Sequence, residues 1–583
     1  MKTILAFVVF ATLFSCQNSN QPQTPEKPNV ILIMTDDQGY GDFGFTGNPH
    51  VKTPVLDELA AESIRFNNFY VSPVCAPTRS SLMTGRYSLR TGIRDTYNGG
   101  AIMSTDEITM AELMAEASYT TGIFGKWHLG DNYPSRPMDQ GFDESLIHLS
   151  GGMGQVGDFT TWFRGDSSYF DPVLWHNGRQ EAHSGYCSDI FADAAIRFIE
   201  SKKDEPFFCY LAFNAPHTPL QLPQKYYDMY KDIDPTAGLE GKLPEMTEKD
   251  KEDARKVYGM VSNIDDNIGK LLRKLDELGI AENTILIFMT DNGPQQRRYT
   301  GGMRGRKGMV YRGGVRVPML MKFPKRFAES KEINSTAAHI DILPTLADLC
   351  GFNMPADRPI DGQSLLPLIE QNQTASFDDR SLFFYWSRRY PELYQNIALQ
   401  KGKYRLIGMT DFDAPVSAFE LYDMSNDPGE ESNRIDQNPA LAEELKEEFD
   451  RQYQELISSE HLVHQPLISI GTAHENPVIL NRNDAGGERG IWAQEEIYGK
   501  WKVSVKKGVY NLKFRFIKPV DAGQLFVEVG PRVFQKTNSE DGQDFLEMNG
   551  VLLPDFEGDL IPFYTSGGRR IFPFYMEVER VDF

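Results

Sequence analysis

The sequence predicts an α/β protein in which a mostly parallel sheet comes first, short antiparallel strands follow, and an added β-sandwich closes the chain. Three observations carry this. Asn29–Met34 and Ile285–Met289 are unbroken apolar runs, the pattern of strands buried on both faces of a parallel sheet. Asp253–Leu278 reads as an amphipathic helix, with Val261, Ile264, Ile268, Leu271, Leu275 and Leu278 on one stripe and Gly279 as terminator. It feeds the second of those strands, and helix then strand is the grammar of a parallel sheet. Beyond residue 463 the pattern changes to alternation with tight turns, the period of an antiparallel sandwich.

At 583 residues the chain exceeds a single core, and 40% apolar with 12% aromatic residues is a globular composition, so two or three domains are expected. The formal charge of −22 argues against nucleic acid and against a broad polyanion-binding surface; an anionic substrate needs a local basic pocket. Residues 1–15 combine Lys2 with the apolar run Ile4–Phe14, too short to span a bilayer and sized for a signal peptide. Leu13-Phe14-Ser15-Cys16 resembles a bacterial lipoprotein cleavage box. That implies a membrane anchor through a lipid on Cys16 and a place in the cell envelope of a Gram-negative bacterium, as a periplasmic or outer-membrane lipoprotein. An ordinary secretory signal is the alternative. Residues 16–28 are polar and proline-rich and suit a tether. With Cys16 and Cys75 assigned, Cys187, Cys209 and Cys350 allow at most one disulfide.

Asn29–Met34 runs into Thr35-Asp36-Asp37-Gln38-Gly39, and Ile285–Met289 into Thr290-Asp291-Asn292-Gly293. Paired carboxylates at the carboxyl end of a buried strand lie where open α/β sheets place their sites, and an unpaired buried carboxylate is costly. Asp36, Asp37, Asp291 and Asn292 are hard oxygen ligands suited to Ca²⁺ or Mg²⁺. In Val71–Arg86, Cys75 precedes an expected helix with Pro77 in its first position and the Arg79 guanidinium nearby, a setting for an anionic product. Gly125-Lys126-Trp127-His128-Leu129-Gly130 follows the strand candidate Tyr119–Phe124. Phe207–Phe213 leads into a proline-bounded loop that presents His217, and the cationic, glycine-rich run 301–308 offers Lys307. Taken singly, each has a plainer reading: a capped turn, a core thiol, a structural histidine, a solvated basic loop.

Ser381–Trp386, Asn396–Ile407 and Phe419–Tyr422 are short strand candidates. A helix over Pro439–Ile457 follows, capped by Asn438, with Leu441, Leu445, Phe449 and Leu456 as its buried stripe. In the last segment Trp501, Val503 and Val505 alternate, Lys507-Gly508 turns, and Tyr510, Leu512, Phe514 and Phe516 alternate on the way back, as in a hairpin; Leu525, Val527, Val529 and Phe574, Met576, Val578 repeat the pattern. Its aromatics suit either carbohydrate binding or structural packing.

Cys75-x-Pro77-x-Arg79 with Leu82, Thr84 and Gly85 resembles the signature of the type I, formylglycine-dependent sulfatases, arylsulfatase-like members of the alkaline phosphatase superfamily. The resemblance covers about residues 28–460, including Ile340–Leu346, Leu421-Tyr422-Asp423 and Asp427–Glu430. It implies an alkaline phosphatase-like fold: a large mixed, mostly parallel sheet sandwiched by helices in a catalytic domain 29–350, then a small antiparallel subdomain 351–462, leaving 463–583 as an accessory β-sandwich. It also implies that Cys75 is oxidised to formylglycine (3-oxoalanine) by a formylglycine-generating or radical maturation enzyme. One Ca²⁺, in preference to Mg²⁺, would be held by Asp36, Asp37, Asp291, Asn292 and the modified Cys75. In the family pattern Arg79 braces the formylglycine, Lys126 and His128 hold and deprotonate it, and His217 and Lys307 contact sulfate and leaving oxygen. Arg312 stands where many relatives carry an acidic residue. The implied function is hydrolysis of sulfate esters, with oligosaccharides from sulfated polysaccharides as the substrate that export and an accessory domain suit. The rivals are a phosphodiesterase or phosphonate monoester hydrolase of the same superfamily and a non-catalytic glycan-binding lipoprotein. Asn98–Gly100, Ser150–Gly154, Gln295–Tyr299 and Arg388-Arg389 are the candidate sugar-contacting loops.

Overall fold

The computed structural model describes residues 27–239, 243–371, 374–388 and 390–583; the signal segment, Cys16 and most of the tether lie outside them, as does Arg389. Five parallel strands stand side by side at the centre of an eleven-stranded sheet, in the order Thr284–Thr290, Asn29–Thr35, Phe207–Ala212, Thr120–Lys126, Glu144–His148. Antiparallel strands extend both sides, beginning with Arg316–Lys322 on one and Val173–His176 on the other. The apolar runs are explained by two cores. Val30, Leu32 and Met34 face one, with Met110, Leu113 and Met114 of the helix Met110–Glu116; Ile31 and Ile33 face the other, with Ile264, Ile268 and Leu271 of the helix Glu248–Leu278. A strand covered by helices on both faces has no polar side to show.

The long helix starts at Glu248, five residues before the expected Asp253, because Thr247 and Asp250 form a capping box: the Thr247 hydroxyl accepts from the Asp250 amide and the Asp250 carboxylate from the Thr247 amide. Its first turn is polar, so the apolar stripe marks only where burial begins. Gly279 ends it in the left-handed conformation, φ 69°. The helix Cys75–Thr84 likewise starts earlier than expected. Cys75 is its first residue and Pro77 its third, which proline tolerates because first-turn N–H groups have no intrahelical acceptor. All ten of its residues are buried.

Next to the large sheet lies an antiparallel meander of Ser381–Tyr385, Gln395–Lys401, Tyr404–Met409 and Glu420–Asp423, covered by the helix Pro439–Ile457. That helix buries Ala442, Leu445, Phe449, Tyr453 and Leu456, while Leu441 is only half-buried. The Asn438 side chain makes no cap bond and donates back to the Arg434 carbonyl.

The last segment folds into two facing sheets with one core between them. The alternating residues face that core as expected, except Phe574, which precedes its strand and packs instead on Leu149, Val156 and Phe159, and the hairpin does not exist. Gly499–Val505 pairs with Phe556–Ser566, whereas Gly508–Val520 pairs with Gln543–Leu553 and Tyr575–Arg580 in the opposite sheet. Three residue steps reach about 10 Å, enough to cross from one packed sheet to the other. Trp501, Tyr510, Phe514 and Phe516 are fully buried, so these aromatics pack rather than bind. Cys75, Cys187, Cys209 and Cys350 are buried free thiols, and no disulfide joins the three that could have paired. Among the described residues no helix is long and apolar enough to cross a membrane.

Candidate active site

The two strand-ending motifs meet because their strands are neighbours. Thr35 lies opposite Thr290 in parallel register, so Asp36-Asp37 and Asp291-Asn292 leave the same edge of the sheet side by side. The Asp37 amide donates to Asp291 Oδ1 (3.1 Å), and the Asn292 side-chain amide donates to Asp37 Oδ1 (2.8 Å). The helix Cys75–Thr84 points its first turn here: the Thr78 hydroxyl donates to the Asp291 carbonyl (2.7 Å). Cys75 Sγ and carboxylate oxygens of Asp36 and Asp291 lie within 4.8 Å of one another, and so do ligand atoms of Asp36, Asp37 and His217.

Three cations balance the three carboxylates. Lys126 Nζ is 2.5 Å from Asp36 Oδ2, Lys307 Nζ 2.6 Å from Asp37 Oδ1, and Arg79 Nη2 2.8 Å from Asp291 Oδ2, all buried or nearly so. Arg79 Nη1 also donates to the Lys126 carbonyl (3.0 Å), joining helix to strand end. Asp36 Oδ1, Asp37 Oδ2 and Asn292 Oδ1 are left buried with no hydrogen-bond partner among the described residues. Orphaned oxygens on two carboxylates and an amide are costly unless a cation takes them, and an all-oxygen set of this kind fits Ca²⁺ or Mg²⁺.

The charges act on one another. Burial and then the Asp36 carboxylate push Asp291 up to about 7, against Arg79. Burial works the same way on Asp37, yet the Lys307 ammonium beside it, with the Asn292 side-chain amide, holds its carboxyl well below the usual range. Burial raises the Cys75 thiol despite Lys126 and Lys307, so the unmodified side chain stays a protonated thiol at neutral pH and is a poor nucleophile.

Three histidines ring the site, each giving one N–H to a backbone carbonyl. His128 Nε2 donates to Thr96 O (2.8 Å), leaving Nδ1 buried and unpartnered. His217 Nδ1 donates to Thr218 O (2.8 Å), leaving Nε2 3.7 Å from Asp37 Oδ2. His148 Nδ1 donates to Leu149 O (2.9 Å), leaving Nε2 unpartnered. Burial lowers all three, His217 and His148 to about 3, with Lys307 adding to the effect at His217 and Lys126 at His128. Each is therefore neutral at rest with one nitrogen lone pair free. His148 escaped the sequence reading because no motif surrounds it. The signal is register: it stands opposite Lys126 on the adjacent parallel strand.

The candidate sugar loops fare differently. Asn98 is spent on Gly487, donating to its carbonyl (3.5 Å) and accepting its amide (2.8 Å), and Gly99 and Gly100 are buried. Ser150–Met153 is buried as well. In Gln295–Tyr299, Arg298 is buried against Asp42 and donates to the Asp37 carbonyl (2.7 Å), whereas Gln295 and Arg297 are exposed. Arg388, half-exposed, reaches Asp95 Oδ1 (2.9 Å). Arg312 lies away from the carboxylates, its amide held by Glu430 and its guanidinium by the Pro428 carbonyl and Asn68, so this departure ties the large sheet to the antiparallel subdomain.

A family model described as Sulfatase matches residues 28–352, and one described as N-sulphoglucosamine sulphohydrolase, C-terminal, matches residues 305–458. Arylsulfatase A of Homo sapiens is 32% identical over 460 residues, which are 70% of this chain and 83% of that protein. The ulvan-active sulfatase of Formosa agariphila is 31% identical over 390 residues, 63% of this chain and 70% of that protein. Among solved structures, Ps i-CgsB in complex with k-i-k-neocarrahexaose superposes with a TM-score of 0.64 at 29% identity, covering 75% of this chain and 94% of that one. With a family match over more than half its length and the sheet-edge site just described, the chain belongs to the sulfatase family and is a sulfuric ester hydrolase.

Proposed function

We propose that this sulfatase removes sulfate from oligosaccharides of sulfated polysaccharides, through a formylglycine made from Cys75 and a Ca²⁺ ion bound beside it. The observation that carries the reading is the set of orphaned oxygens of Asp36, Asp37 and Asn292 facing a protonated, buried thiol among three cations. Asp36, Asp37, Asp291 and Asn292 would hold the cation, which supplies Lewis-acid charge for the sulfuryl oxygens. The formylglycine, as a hydrated aldehyde, would supply the hydroxyl nucleophile that the thiol does not, with Asp291 beside it accepting the proton that hydroxyl loses. With three carboxylates already matched by three side-chain cations, a divalent ion leaves the site net positive, which suits an anionic ester. Lys126, Lys307 and Arg79 fix the carboxylates and face the sulfuryl charge. A bound ester also offsets Lys307 beside His217, so that His217 takes a proton on Nε2 and gives it to the departing sugar oxygen. His128, with Nε2 committed to Thr96, accepts a proton on Nδ1 after the ester bond has broken. Names of related proteins that act on ulvan or bind a neocarrahexaose support a polysaccharide-derived substrate. Export with a lipid on Cys16 and a dedicated maturation enzyme belong to the same reading.

Peptide mass analysis tests the nucleophile: the Cys75 peptide should be lighter than its sequence by about 18 Da, the change from thiol to aldehyde. An active enzyme with an unmodified thiol would overturn the proposal. Rates on matched sulfate and phosphate esters separate sulfatase from phosphodiesterase or phosphonate hydrolase action, and a panel of defined sulfated oligosaccharides identifies the substrate.

A further inference from the structure

The β-sandwich packs on the loops beside the large sheet's site at several places, among them Glu475 on Asn132 and Tyr133 and Phe574 on Leu149, and both supports of His128 run into one of these, the turn 481–487. The first support is the Thr96 carbonyl that accepts from His128 Nε2. Its loop is tied to the sandwich by Gly99 N donating to Asn483 O (3.2 Å), by the Asn98–Gly487 pair, and by the Tyr97 and Trp492 rings at 5.8 Å. The second is Gly151, whose backbone presses on the imidazole so closely that a Cβ there would lie 2.7 Å from His128 Cε1. The preceding Ser150 amide donates to both oxygens of Asp131 (3.0 and 3.1 Å). Asp131 is in turn held from the sandwich: Asn481 Nδ2 donates to its Oδ2 (2.7 Å), and its own amide donates to Asp484 Oδ2 (3.0 Å). Asp131, Asn481 and Asp484 are all buried. Asp131 follows His128 by three residues, through Gly130 at φ 122°, so the histidine itself sits on a loop fastened at its far end by Asp484. His128 adopts φ 62°, a left-handed conformation that a non-glycine residue keeps only when its surroundings enforce it.

We infer that Asp484 and Asn481 are positioning residues for catalysis, acting through Asp131 and the two flanking loops to hold His128, so that the β-sandwich is a working part of the active site. The inference rests on the role given to His128 above. The contribution assigned to the sandwich is the geometry of one imidazole.

Asp484→Ala removes the acceptor of the Asp131 amide, and Asp484→Asn keeps one in the amide oxygen. With nitrophenyl sulfate, Asp484→Ala should lower kcat about 100-fold and KM along with it, leaving kcat/KM within about threefold, the pattern of a misplaced group that acts after the first bond has broken. Rapid mixing should then show a burst of nitrophenol before slow turnover, as His128→Ala should, while Asp484→Asn regains most of the rate. A loss of rate with no burst, in proportion to unfolded protein, overturns the proposal, as does full activity in Asp484→Ala/Asn481→Ala. The spectrum of ¹⁵N-histidine-labelled enzyme gives a second, reaction-independent test. The His128 ring signals, identified by their absence in His128→Ala, should shift or broaden in Asp484→Ala and stay fixed in Val533→Ser on the exposed outer strand. Unmoved His128 signals in Asp484→Ala overturn the positioning role whatever the chemistry. Absence of a burst in His128→Ala instead overturns the role assigned to His128, and the spectrum still decides whether the sandwich holds it.

Discussion

The helices Cys75–Thr84 and Glu248–Leu278 lie in the same domain and follow opposite rules. The long one is amphipathic toward its two ends, where Glu248, Lys249, Arg273, Asp276 and Glu277 are exposed, and is buried all round only from Val257 to Asp265; the short one buries every residue, including Arg79 at 1% exposure. A helix held on all sides needs no amphipathic pattern, and what it encloses must be justified otherwise. Arg79 is justified by Asp291 and the Lys126 carbonyl, Thr78 by the Asp291 carbonyl. The stripe of the long helix is about stability, and the buried polar face of the short one is about placing charge.

Substitutions separate those two jobs. Arg79→Ala should abolish turnover and also destabilise the fold by about 3–5 kcal/mol, because it leaves the Asp291 carboxylate buried without its partner. Denaturant unfolding together with initial rates measures both losses, and a stable Arg79→Ala protein would break the comparison. Cys75→Ala should lose all turnover with the melting temperature near wild type, since the side chain is a reagent and alanine fits its space. Ile264→Ala, in the buried stripe, should do the reverse: a loss of about 2–5 kcal/mol in stability with kcat per folded molecule unchanged.

Asp158 sharpens the contrast, being a buried carboxylate whose side-chain partners are the Thr160 and Thr161 hydroxyls rather than a cation. Burial pushes it up to about 7. Between the ordinary carboxylate pKa and that value the folded chain keeps a proton that the unfolded chain releases, so this group makes stability fall as pH rises from about 4 to about 7 and adds nothing further above it. Unfolding free energies across that range should slope less in Asp158→Asn; an identical slope would assign the pH dependence elsewhere. The smallest effect is at the polar start of the long helix. Thr247→Ala removes half of a capping box and should cost about 1 kcal/mol with no change in rate.

Much of this molecule was legible before it was folded. Asn29–Thr35 and Thr284–Thr290 announce themselves by apolar runs, and Asp36, Asp37, Asp291 and Asn292 by ending them, because a strand buried on both faces and a carboxylate at its tip are local facts. The cysteine motif is local too. What the tertiary structure decided is everything that depends on strand order and register, since neighbours across a parallel sheet come from distant parts of the chain and no periodicity records which strand lies beside which. Register put Thr35 opposite Thr290 and made two motifs one site; it put His148 opposite Lys126, with no motif to mark it. Packing decided that Lys126 belongs to Asp36, Lys307 to Asp37 and Arg79 to Asp291. It turned the expected hairpin at Lys507-Gly508 into a crossing between sheets, and it brought Asp484 to the loop of His128 more than 350 residues earlier, where only the assembled fold makes them neighbours.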